Sequence, residues 1–121
     1  MGVLDKARSL QQEYLSTALR RSELMSRNKP REANKEFDRL HEVKNKMRQL
    51  PDSGERALKQ ISTYPNVDVQ INAAAALLAV DEVYALELLE RIATSEAGLA
   101  SLTAEMTIQE WKNGSIKDYW S

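Results

Sequence analysis

The chain has 121 residues, with 17 Lys or Arg against 18 Asp or Glu, one histidine and no cysteine. Its length suffices for one domain that buries roughly 65 to 70% of the surface its unfolded form exposes. The composition excludes a disulfide framework and a thiolate site, and the lone His41 builds no zinc ligand set; with no secretion signal, myristoylation pattern or bilayer-spanning apolar run, a cytoplasmic protein is expected.

The near-neutral total conceals a polarity along the chain. Residues 1–56 hold 13 Lys or Arg against 9 Asp or Glu, whereas residues 57–121 hold 4 against 9. Such an asymmetry bears on partners and encounter rates rather than on fold.

From Val3 to Asn28, apolar Val3, Ala7, Leu10, Tyr14 and Ala18 recur at steps of three and four, one face of a long helix that Leu24 and Met25 extend. Asn28-Lys29-Pro30 stops it, and Pro30 suits the first turn of a second helix that uses Ala33, Phe37, Leu40, Val43 or Lys44, Met47 and Leu50. So short a turn makes the two helices antiparallel. After the break at Leu50 to Gly54, Asp52 or Ser53 is expected to cap a third helix carrying Ala57, Leu58 and Ile61. Asn66 caps a fourth, from Val67 to Ala79, with Asp68 in its first turn; Asp81 caps a fifth through Tyr84, Leu88, Leu89 and Ile92. A sixth follows Gly98 and runs to Trp111 and Asn113, ended by Gly114. The chain is expected to be all-α, about six helices in a short stack of antiparallel hairpins. It divides a single domain, 1–121, into a long helix pair over 1–50, two shorter hairpins over 52–114 and a tail over 115–121.

At an offset of 31, Leu58 falls on Leu89, Ile61 on Ile92, Ile71 on Leu102, Ala73 on Ala104, Leu77 on Ile108 and Val80 on Trp111. The period is that of stacked helix hairpins, although two unrelated amphipathic hairpins give similar matches. Ala73 to Ala76 let a neighbouring helix approach closely, and Leu77 and Leu78 fill the space at the far end.

The segment P-N-V-D-V-Q-I-N-A-A-A-A-L-L-A-V-D, then A-L-E-L-L-E-R-I-A and A-E-M-T-I-Q-E-W-K-N-G, resembles the second half of a small bacterial family of HEAT-like helical proteins of unknown function. The N-terminal helix pair with Asn34, and R-A-L-K-Q-I before the Pro-Asn turn, resemble the remainder. Gln70 stands where such repeats commonly carry an arginine. The resemblance implies a HEAT/armadillo-like right-handed α-superhelix serving as a binding surface. It also implies kinship with proteins encoded beside bacterial toxins that look like immunity proteins.

Catalytic machinery is not in evidence. His41 and Glu42 are adjacent on a helix and point apart, so they read as structural or surface residues. Asp81, Glu82, Glu87, Glu90 and Glu110 lack histidines at ligand spacing and read as a solvated face. Arg20, Arg21, Arg27, Lys29 and Arg31 are interrupted by Glu23 and Glu32, with no aromatic interleaved for base stacking, and read as a charged outer face. Ile116, Tyr119 and Trp120 either pack back on the last helix or anchor a partner.

No cofactor, metal, membrane or small-molecule substrate is expected. The expected partner is a protein, most concretely a toxin domain whose basic cleft an acidic helix surface would enter and block, through Asp68, Gln70, Asn72, Glu105 and Gln109 with Trp120 as anchor. The competing expectation is a nucleic-acid-binding helical repeat that uses the basic N-terminal half, with affinity falling steeply with salt.

Overall fold

Six helices make up the computed structural model, which describes residues 2–50 and 52–114: α1 (Val3–Ser26), α2 (Pro30–Arg48), α3 (Ser53–Ile61), α4 (Val67–Leu77), α5 (Glu82–Ser95) and α6 (Gly98–Lys112). No strand occurs among the described residues, so the chain is all-α. Ile116, Tyr119 and Trp120 lie outside them. No helix among the described residues is long and apolar enough to cross a membrane.

The helix ends follow from local chemistry. Asn66 Oδ1 accepts the Val69 amide at 3.1 Å and Asp81 Oδ1 the Tyr84 amide at 3.2 Å, so α4 and α5 begin on the expected caps. Helix α1 stops two residues earlier than the apolar spacing predicts, because Asn28 turns left-handed (φ 58). Its amide then donates to the Met25 carbonyl at 3.0 Å and the Lys29 amide to that of Leu24 at 2.9 Å, which satisfies two carbonyls of the last turn. Gly114, at φ 84, ends α6 in the same way.

The start of α3 corrects an expectation. Asp52 stands at the N-cap, but its side chain accepts no cap bond, and the buried Ser53 Oγ has no partner. Asp52 has a left-handed backbone (φ 63) in place of the extended one from which a cap side chain reaches the first-turn amides. The first turn of α3 is instead held to the end of α2: the Gly54 amide donates to the Leu50 carbonyl at 2.9 Å, and Gly54 is buried hard against the Met47 backbone.

One apolar cluster runs through all six helices, from Leu10, Tyr14 and Ala18 through Met47, Leu58 and Leu77 to Leu89 and Ala104. Helix α4 lies at its centre, packed against α1, α3, α5 and α6. Val69, Ile71, Ala73, Ala74, Ala76 and Leu77 are all buried, which covers most of its circumference. Only small residues permit that many helices around one axis.

Two core assignments shift. In α2, Val43 and Lys44 are both buried, and Glu36 takes a buried place beside a half-buried Phe37. Of the residues matched at an offset of 31, Leu58 and Leu89, Ile61 and Ile92, and Ala73 and Ala104 are buried in pairs, whereas Ile71 is buried and Leu102 exposed. Helix α6 is the last described helix, and no other described helix covers that side.

Candidate functional site

The residues expected to form one polar edge on α4 divide into two groups. Asp68 and Asn72 are one turn apart and share a face; Asn72 Nδ2 donates to the Asp68 carbonyl at 2.9 Å. Asp68 Oδ2 accepts from Ser22 Oγ of α1 at 2.7 Å, so this carboxylate lies at the α1–α4 seam while remaining exposed. Gln70 does not join them. Two residues advance a helix by about 200°, and the Gln70 amide folds back instead to donate to the Tyr64 carbonyl at 2.9 Å. It braces the turn before α4.

On α6, Glu105 and Gln109 are likewise one turn apart and both exposed, and among the described residues neither side chain has a hydrogen-bond or ion-pair partner. Trp111 Nε1 donates to Glu82 Oε2 of α5 at 2.7 Å, which fastens the end of α6 to the start of α5. Trp120, the expected anchor, lies outside the described residues.

Between α3 and α5 a polar knot replaces apolar packing. Lys59 Nζ lies 2.7 Å from Asp81 Oδ2 and 3.3 Å from Glu55 Oε2, and sits over the Tyr84 ring at 5.1 Å. The Tyr84 hydroxyl is 2.6 Å from Ser62 Oγ. The hydrogen bond to Asp81 raises the Lys59 pKa above its ordinary value; the same bond, helped by the Tyr84 amide, holds the Asp81 carboxyl below its own. Asp81 is therefore both cap and ion-pair partner. It belongs to the scaffold rather than to an acidic docking face.

Of the five cations near the first turn, three have partners, whereas Lys29 and Arg31 are exposed and form no ion pair among the described residues. Arg20 Nε meets Glu36 at 2.9 Å, Arg27 meets Glu23 at 2.8 Å, and the Arg21 guanidinium lies over the Phe37 ring at 5.1 Å. In the second half, Glu87 and Glu90 of α5, Glu96 at its end, and Glu105 and Glu110 of α6 are exposed and pair with no cation among the described residues.

One group escaped the sequence reading. Lys44 is 2% exposed, with Nζ 3.1 Å from His41 Nδ1, and the His41 ring stacks on Phe37 with centroids 5.7 Å apart. Burial, aided by the Arg48 charge, brings the Lys44 pKa down to about 7. The sequence signal was present as the choice between Val43 and Lys44 on the inner face of α2. Among the described residues no three His, Asp or Glu side chains converge as metal ligands do.

Comparison with known proteins adds a family and a fold. A family model described as a domain of unknown function (DUF2019) matches residues 9–111. The crystal structure of the protein RPA1889 from Rhodopseudomonas palustris CGA009 is similar, with a TM-score of 0.82 and 23% identity over 94% of this chain and 95% of that chain. At that identity the likeness carries the fold alone. No curated protein matches the chain.

Proposed function

We propose that this chain, which belongs to the family described as a domain of unknown function (DUF2019), is a non-enzymatic protein-binding module of HEAT-like hairpins that neutralises a bacterial toxin by covering its active site. The observation that carries this reading is the uncompensated acidic surface of the second half. Among the described residues Glu87, Glu90, Glu96, Glu105 and Glu110 are exposed without cationic partners, and residues 57–121 hold only 4 Lys or Arg against 9 Asp or Glu. An acidic face of this kind accelerates encounter with a basic cleft, such as a nuclease presents to its substrate.

Asp68 and Asn72 on α4 and Glu105 and Gln109 on α6 remain the contact residues of this reading. Gln70 leaves the set, since it lies across the helix from Asp68 and Asn72 with its side chain turned to the Tyr64 carbonyl. The test pairs the chain with the protein encoded immediately upstream of it. Growth arrest by that protein's C-terminal domain should be relieved by co-expression, and the two should co-elute. Glu105→Gln with Glu110→Gln should slow association several-fold at low salt and weaken its salt dependence. Failure to relieve arrest or to form a complex would overturn the toxin reading, and a salt-independent association rate would overturn the electrostatic one.

A further inference from the structure

The outer face of α6 carries an apolar stripe that no other described helix covers. Leu99 is 74% exposed, Leu102 51% and Met106 50%, and their spacing of three and four places them on one face, turned away from the buried Ala104. Large apolar side chains scattered singly need no explanation, but three in register form a contiguous patch of the kind that marks an interaction site.

The register of α4 places this stripe. At the offset of 31, Ile71, Ala74 and Leu78 correspond to Leu102, Glu105 and Gln109. The first three are buried within the stack and the second three are exposed. Of the stripe itself, Leu102 falls on the buried Ile71, while Leu99 and Met106 fall on the exposed Asp68 and the half-buried Ala75, so the stripe flanks the face that α4 covers with neighbouring helices. The charge along α6 narrows the occupant. From Glu96 to Lys112 there are three carboxylates, Glu96, Glu105 and Glu110, against one cation, Lys112 in the last turn. Glu105 borders Leu102 and Met106, and Glu110 continues the line of Met106 one turn further. A second copy docked about a two-fold axis would set these carboxylates against themselves, which disfavours self-association.

We propose that the exposed face of α6, Leu99, Leu102 and Met106 bordered by Glu105 and Glu110, docks a basic amphipathic helix of a partner protein. Its apolar side chains, spaced by three and four, pack on the stripe, and its Lys or Arg residues meet the flanking carboxylates. Met106, unbranched and polarizable, adapts to the incoming side chains. This deepens the binding role proposed above and rests on it.

The test uses three labelled 18-residue peptides: a leucine–lysine amphipathic helix, the same residues scrambled to remove the apolar face, and the amphipathic pattern with glutamate replacing lysine. Fluorescence anisotropy at low salt should show saturable binding of the first, at least tenfold weaker binding of the second and none of the third. Leu102→Ser with Met106→Ser should weaken the first peptide at least tenfold, and Val83→Ser, an equally exposed apolar position on α5, should not. Equal binding of the scrambled peptide, or unchanged affinity of the double variant, overturns the proposal. So does a concentration-dependent dimer in sedimentation that the double variant abolishes. Relief of growth arrest that survives the double variant overturns the α6 assignment alone; peptide binding without any relief supports it while removing the toxin reading.

Discussion

Lys44 places an amine inside the α1–α2 end of the core, where removal from water and the Arg48 charge bring its pKa from 10.5 to about 7. Between those two values the unfolded chain holds more protons than the folded one, so stability rises with pH across that window. Well below the folded pKa both states are protonated and the whole cost of burying the charge is present. Lys44→Met keeps the stem and removes the amine. It should raise the melting temperature more at pH 6 than at pH 10, a difference on the order of a few kcal/mol. An equal gain at both pH values would show that the folded chain keeps this ammonium solvated. The apolar spacing of α2 left Val43 and Lys44 as alternatives because both border one face. Periodicity locates the middle of a buried face and not its width, so a second buried residue beside Val43 was beyond it. The misplacement of Gln70 was avoidable, since the helical period alone sets it across from Asp68 and Asn72.

Among the elements, the junction of α2 and α3 is the tightest, and it turns on Gly54. A Cβ at this position would overlap the Met47 carbonyl oxygen, a backbone atom that no side-chain rotation relieves. Gly→Ala inside a helix ordinarily stabilises by up to about 1 kcal/mol. Gly54→Ala should instead destabilise, by roughly 1 to 3 kcal/mol, in urea unfolding followed by circular dichroism. A stabilised variant would place the two helices farther apart than described. In the sequence this glycine was legible only as part of a break, since a glycine needed for close approach and one needed for a turn look alike. Asn66 and Asp81 were legible as caps because an acceptor of that reach before an apolar run has one common use. Asp52 had the same chemistry, and its left-handed backbone defeated it.

At the scale of the whole molecule, stability converges on α4, which packs against α1, α3, α5 and α6. Ala74 has no exposed surface, while Ala75 on the same helix is half-buried on the edge shared with Asp68 and Asn72. Ala74→Leu should cost roughly 1 to 3 kcal/mol by overpacking, and Ala75→Leu markedly less. Unchanged thermal unfolding of the first variant would remove α4 from the centre. The order of the helices and the close-packed alanines could be read from spacing and composition. The exposure of Leu102 could not, because an apolar residue at a repeat position looks the same whether or not another hairpin follows.

Helix α6 gives the shared core little more than Ala104, reinforced by the half-buried Ile108 and Trp111 and by the bond from Trp111 to Glu82. It contributes fewer buried residues than any other described helix, which favours local opening there. A partner laid along its outer face would act on that opening by mass action, closing the end of the fold in proportion to its own concentration. Occupancy of the surface and order at the end of the stack would then be one equilibrium, in which a bound chain lengthens the lifetime of the protein that holds it.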